Sequence, residues 1–189
     1  MILEIVKYGH PMLRQKGARI EKITPEIKRL IADMFETMRE RHGVGLAAQQ
    51  VGQALQLTVI DVRDVTDRPS TLELNGQPAD PAEIMPLVLI NPEIKPFGDP
   101  VAAGEGCLSF PEIYGEVSRP GSVEAKALNE KLKPVEFRAG GLLSRVIQHE
   151  MDHLNGILFI DRMTKKIKTE IREQLDEMQA ATKAELQKR

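Results

Sequence analysis

Apolar residues recur along this chain at two spacings, and each spacing predicts a different kind of element. Ile27, Leu30, Ile31, Met34 and Met38 follow one another at three- and four-residue steps, which puts them on one face of a helix. Thr24-Pro25 stands in front as a start signal: threonine caps the first free N–H groups, and proline suits the first turn. Gly43 closes the segment, so a core-facing helix is expected here. Leu143, Ile147 and Leu154 form a second stripe, opened by Gly140-Gly141 and closed by Asn155-Gly156. Gly156 suits the left-handed position that follows many helix ends. A third, narrower stripe of Ile167, Ile171, Leu175 and Met178 runs through a charged segment. It predicts a helix packed at its start and solvated or frayed at its end.

Between the first two helices, short apolar runs read as strands. Leu57 to Val62 is one, and Leu87 to Ile90 is a buried second, stopped by Asn91-Pro92. Ser122 to Leu128 and Pro134 to Phe137 flank Asn129-Glu130-Lys131 as an antiparallel hairpin. The polar stretch from Asp64 to Pro86 is longer than an ordinary connection and reads as an exposed excursion or mobile loop. Leu72-Glu73-Leu74 before Asn75-Gly76 leaves room in it for a small hairpin. Residues 1–20 are irregular, punctuated by Gly9, Pro11 and Gly17. Strands in the middle, helices towards the ends and no strand–helix–strand alternation predict an α+β fold. Antiparallel strands would pack around a central helix, with an N-terminal and a C-terminal helix beside them.

Composition narrows the class. A chain of 189 residues, 41% hydrophobic, suits one domain that buries about 70% of its unfolded surface. Residues 1–163 are expected to be the body and 164–189 a charged helical tail of the same domain. The net charge of −2 gives no sign of a general nucleic-acid binder. The tail is different, with seven Lys/Arg against five Asp/Glu. A single cysteine forms no internal disulfide, and Met1-Ile2-Leu3-Glu4 lacks the basic, then apolar, pattern of a secretory signal. No apolar run approaches the roughly 20 residues that span a bilayer. A cytoplasmic setting away from membranes is expected.

The second helix carries the chemistry. Gln148-His149-Glu150-Met151-Asp152-His153 contains H-E-x-x-H. At about 100° per residue, His149 and His153 lie only about 40° apart and one turn from each other, so both imidazoles can hold one metal ion. Glu150 lies about 60° beyond His153, poorly placed as a ligand but able to reach a metal-bound water. Ordinary surface or capping histidines are the bland alternative, and the buried back of the helix argues against it. A hydrolytic site needs a third ligand and an open fourth position. The zinc-protease extension with a third histidine fails at Phe159, whereas Glu170, Glu173 and Glu177 offer a carboxylate from the tail and Cys107 offers sulfur from upstream. The Gly-rich run Gly43-Val44-Gly45-Leu46-Ala47-Ala48-Gln49-Gln50 lacks the Lys-Ser/Thr of a phosphate loop. It is either a tight small-residue connection or a loop that approaches a ligand, with Gln49 or Gln50 giving an amide donor.

Together with Glu105-Gly106-Cys107-Leu108-Ser109, these stretches stand in an order and spacing that resembles the peptide deformylases. The resemblance covers most of residues 5–163, including Arg119-Pro120 and Leu158 to Arg162. The tail matches least, and Gln49 stands where family members often carry Pro or Thr. The resemblance implies a deformylase fold and removal of the formyl group, as formate, from the N-terminal methionine of new bacterial chains. It implies a metal held by Cys107, His149 and His153, commonly Fe²⁺ in the cell, with Zn²⁺, Ni²⁺ or Co²⁺ as substitutes. Glu150 then carries the proton, and the Gln50 amide and Leu108 N–H face the oxyanion. Gly45 lets its loop approach the substrate, and Val44 and Val146 line a methionine pocket. Asp152, flanking His149, would support it together with Arg119. The partners implied are N-formylmethionyl nascent peptides, and the tail leaves a transient ribosome contact open. Two rival readings stay in view. One is a metallopeptidase with a late Glu and no need of Cys107; the other is a closed, four-ligand metal module without catalysis. The base beside the first histidine argues against the module.

Overall fold

The computed structural model describes residues 1–189. The first helix, α1, spans Pro25–Glu40, and the Thr24 hydroxyl accepts from the Ile27 N–H at 3.2 Å. It stops before Gly43, and the left-handed residue at its end is His42 (φ 56°), not a glycine. Seven strands follow: β1 (Gly45–Ala47), β2 (Leu57–Ile60), β3 (Ser70–Leu74), β4 (Gln77–Ala79), β5 (Leu87–Cys107), β6 (Phe110–Leu128) and β7 (Pro134–Gly140). They form one antiparallel sheet in the order β1-β2-β5-β6-β7-β3-β4. Helix α2 (Gly141–Leu154) and two terminal helices, α3 (Lys165–Glu170) and α4 (Arg172–Gln187), complete the α+β fold. No helix is long and apolar enough to cross a membrane.

The runs Leu57–Ile60 and Leu87–Ile90 are apolar, Thr58 excepted, because these strands are covered on both faces. Leu57, Val59, Val88 and Ile90 pack with Met34, Phe35 and Met38 of α1. Ile60, Leu87 and Leu89 pack on the other side with Leu143, Val146 and Ile147 of α2. Helix α2 is therefore lodged in the body, and its predicted stripe is its anchor. Gly156 (φ 72°) takes the left-handed turn after it, as expected. A third cluster joins Leu13, Phe110, Phe159 and Leu175, so the chain ends close one side of the molecule.

Three expectations are corrected. Asn91-Pro92 does not stop its strand: β5 continues to Cys107, with a bulge between Ile90 and Glu93. Asn91 (φ 50°) bends the chain, and its carboxamide accepts from the Ile20 N–H (2.9 Å) and donates to the Ile20 carbonyl (2.8 Å). The irregularity is thus satisfied locally, and β6 supplies the ladder beyond it. The 64–86 excursion is built into the sheet, because β3 pairs with β7 and Leu72 is buried. Asn75 and Gly76, both at positive φ, make its tight hairpin turn. The tail is two helices broken at Ile171 rather than one, and its far part is solvated, as expected, but helical to Gln187 rather than frayed. Thr182 is buried against Gly9, and the Arg189 guanidinium meets Glu4 at 2.9 Å. Within the stretch expected to be irregular, Pro11–Arg14 forms a 3₁₀ turn.

Candidate metal centre and active site

Two elements bring the cluster together. Strand β5 ends at Cys107, and Leu108-Ser109 turns the chain back into β6. Helix α2 presents His149, Glu150 and His153, all buried. The ligand atoms of Cys107, His149 and His153 lie within 4.8 Å of one another. Cys107 Sγ stands 3.3 Å from His153 Nε2. Glu170, Glu173 and Glu177 are exposed on the terminal helices and form no part of this group. Phe159 packs its ring at 5.7 Å from the His149 ring, as a wall rather than a ligand.

The donors fit a divalent cation. His149 Nδ1 is 2.9 Å from Glu105 Oε1, so this nitrogen is occupied by the carboxylate and the other is left for a metal. Burial alone would discourage a charge on His149, yet Cys107 and Glu105 outweigh it and hold its pKa well above the usual range. Burial and the neighbouring His149 push His153 the other way, towards the neutral form that binds metal. A neutral imidazole at His153 keeps one ring nitrogen's lone pair to offer a cation.

Glu105 is the hub behind the cluster. It accepts from Arg119 Nε (2.6 Å) and Nη2 (3.0 Å) and from Arg145 Nη1 (2.7 Å). Burial raises its pKa, but His149 and Arg119 overcome that and bring it down to about 2. Arg119 also reaches Asp152 Oδ2 at 2.9 Å, and Arg162 meets Asp152 Oδ1 at 2.9 Å. Asp152 therefore acts on the site through Arg119 and Glu105. The carboxylate that touches His149 is Glu105, two residues before the cysteine.

Glu150 stands beside the cluster and outside it. Burial raises its pKa to about 7. Thr58 Oγ1 lies 3.4 Å from Glu150 Oε2, and Gly45 abuts the other oxygen: a Cβ built there would sit 2.6 Å from Oε1. The missing side chain at Gly45 makes room first for this carboxylate, a more immediate reason than substrate approach. Gln50 is fixed from both ends, its Oε1 accepting from the Ala47 N–H (2.9 Å) and its Nε2 donating to Ser109 Oγ (3.2 Å). The same NH₂ group is 3.5 Å from Cys107 Sγ, so it faces the cluster. Gln49 points instead towards the carbonyls of Gln15 and Leu154, which separates two neighbours that the residue types alone left equivalent.

A cavity of about 860 Å³ opens over the cluster. Val44, Gly45, Gln50, Leu108, Val146 and Glu150 line it, together with Cys107 and His149. Asp152, Arg119 and His153 are not part of that lining. Thr182, Glu185, Leu186 and Arg189 of the tail border its far side, although no site residue was expected there. Sequence reasoning gave no role to Glu105, Ser109, Thr58, Arg145 or Arg162. Two of these left a trace: Thr58 is polar within an otherwise apolar strand, and Arg145 precedes His149 by one helical turn.

A sulfur–imidazole–imidazole cluster with both imidazoles buried, an adjacent carboxylate outside it and an open cavity define a metal-dependent hydrolase. The model of the polypeptide deformylase family matches residues 2–169, and the chain belongs to that family. A peptide deformylase of Methylacidiphilum infernorum is 47% identical over 178 residues, covering 94% of this chain and 93% of that protein. One from Opitutus terrae is 45% identical over 173 residues, 90% of each chain. Among solved structures, a Synechococcus elongatus peptide deformylase in complex with actinonin is 41% identical and superposes with a TM-score of 0.77. That match covers 93% of this chain and 85% of the other. A Plasmodium falciparum peptide deformylase superposes at 0.81 with 33% identity, covering 95% and 97%.

Proposed function

We propose that the protein hydrolyses the formyl–nitrogen bond of N-formylmethionyl peptides, giving formate and a free amino terminus. The observation that carries this is one cavity that reaches the Cys107–His149–His153 cluster at Cys107 and His149 and is lined by Glu150 and Gln50, in a chain of the deformylase family. When bound by Cys107, His149 and His153, a divalent cation supplies Lewis-acid activation of water and of the formyl oxygen. Membership of the deformylase family supports Fe²⁺ as the ion in the cell, and sulfur and imidazole donors also accept Zn²⁺, Ni²⁺ or Co²⁺ as substitutes. Glu150 takes one proton from the attacking water and passes it to the departing amine. The Gln50 NH₂ and the Leu108 N–H serve the oxygen that gains charge on the formyl carbon. Val44 and Val146 offer an apolar wall for the methionine side chain, and Arg119 with Asp152 steadies the cluster through Glu105.

Residues 1–163 are assigned as the catalytic body and 164–189 as a tail of the same domain. Its exposed lysines support a transient ribosome contact, and a nascent-chain substrate supports a cytoplasmic setting. No observation favours a peptidase with a late carboxylate ligand. Formate release from formyl-Met-Ala-Ser, with acetyl-Met-Ala-Ser as control and metal content fixed, tests the reading. Formate from the first and no acetate from the second is expected. Peptide-bond cleavage, or no formate from metal-replete protein, overturns it.

A further inference from the structure

The three ligands come from two elements that share no covalent neighbour: Cys107 from the ribbon of β5 and β6, and both histidines from α2. Metal affinity then depends on how firmly the ribbon and α2 are held in register. Arg145 spans that joint. It lies one helical turn before His149, on the same face of α2, and is buried. Its Nη1 donates to Glu105 Oε2 (2.7 Å) and to the Val117 carbonyl (2.8 Å), and its Nη2 donates to the Val101 carbonyl (2.6 Å). Val101 and Glu105 belong to β5 and Val117 to β6, so one guanidinium is fastened to both strands of the ribbon. One turn further along α2, His149 meets the same Glu105 through its other oxygen at 2.9 Å.

We propose that Arg145 is a positioning residue for the metal: it clamps α2 to the β5–β6 ribbon and so sets the spacing between Cys107 and the two histidines. The proposal rests on the metal-centre reading above. Arg145 donates nothing to the cluster itself, because its hydrogen bonds are spent on Glu105 and the two carbonyls. Its contribution differs from that of Arg119. Arg119 sits on β6 and ties that strand to Asp152, near the far end of α2, whereas Arg145 ties α2 to β5 and β6 at the level of His149. A planar fork is needed to reach a carboxylate and two carbonyls at once, which a lysine cannot do.

The chemistry does not pass through Arg145, so its loss should act on metal retention before turnover. Arg145→Met keeps the aliphatic stem and removes the fork, leaving Glu105 paired with Arg119. Arg145→Lys keeps the charge and one bond to Glu105. Outer hydrogen-bond partners of metal ligands are typically worth about 10- to 100-fold in affinity. The experiment is Zn²⁺ competition against a chromophoric chelator, with Tm of the metal-free proteins and kcat at saturating Zn²⁺ on the same samples. Zn²⁺ affinity should fall about 10- to 100-fold in Arg145→Met and by a smaller step in Arg145→Lys, with kcat at saturation within about threefold. Wild-type affinity in a folded Arg145→Met, or in Arg145→Lys should the Met variant not fold, overturns the proposal. So does a lowered metal-free Tm with affinity unchanged, which is the mark of a purely structural arginine. If the wild-type protein itself fails to hold Zn²⁺, the metal-centre reading fails instead.

Discussion

Replacing Gly45 with alanine should disable the site while leaving its metal in place. Gly45 opens β1 and pairs with Ile60 of β2, so its backbone is held by the sheet. An added Cβ would lie 2.6 Å from Glu150 Oε1 and 3.0 Å from both Cδ and Cγ, where ordinary contact begins at 3.4 Å. The gap is short by roughly 0.8 Å, and the Glu150 carboxylate is the part able to give. Thr58 closes the other side, so the carboxylate must turn away from its present position. A misplacement of about 1 Å in a reacting group costs about 100-fold in rate, near 2.7 kcal/mol of barrier. The assay is formate release from formyl-Met-Ala-Ser, with metal content and Tm on the same preparation. The expected result is kcat down about 100-fold, normal metal and a modest loss of stability, at the low end of about 1–3 kcal/mol for overpacking. Gly52→Ala is the control: Gly52 has φ 82° and nothing within 4 Å of a new Cβ, so backbone strain should be its only cost. Near-normal kcat in Gly45→Ala, or loss of its metal, would refute the packing of Glu150 against this strand.

Two further outcomes concern stability. Leu143, fully buried on the anchoring side of α2, should cost about 2–5 kcal/mol in denaturant unfolding when cut to alanine, and a loss under 1 kcal/mol would contradict its place in the core. Burial opposes the charge on Asp161, but Arg14 at 2.5 Å and the Leu158 N–H outweigh it, so its folded pKa lies below the ordinary 3.8. The resulting stabilisation is fully present above the unfolded value and is lost as pH falls through the folded one. Thermal melts between pH 6 and pH 3 should therefore show a smaller acid loss in Asp161→Asn than in wild type, and parallel curves would remove the ion pair from the account.

What the sequence disclosed divides by distance along the chain. Thr24-Pro25, Asn75-Gly76 and Asn155-Gly156 act on their own neighbours, and each produces the cap or turn its chemistry predicts. The H-E-x-x-H spacing is also local, fixed by one helical turn. Asn91-Pro92 misled for the complementary reason: its local tendency to break a strand is real, but β6 continues the ladder and turns the break into a bulge. Glu105 drew no notice because its partners stand 14, 40 and 44 residues away in Arg119, Arg145 and His149. Nothing local distinguishes such an acid from a surface one. The same holds for the tail, whose polar end docks through Thr182 and Arg189 rather than through an apolar stripe.

The central claim is that Glu150 moves the proton beside a metal held by Cys107, His149 and His153. Measuring metal stoichiometry and formate release together on purified Glu150→Gln tests it most directly. Glutamine keeps the size and hydrogen bonding of the side chain and cannot accept the proton. The account predicts a metal content equal to wild type with turnover lower by about 10²–10⁴-fold. Loss of metal from Glu150→Gln would make Glu150 a ligand, and retained metal with near-normal turnover would leave the proposed reaction without its base.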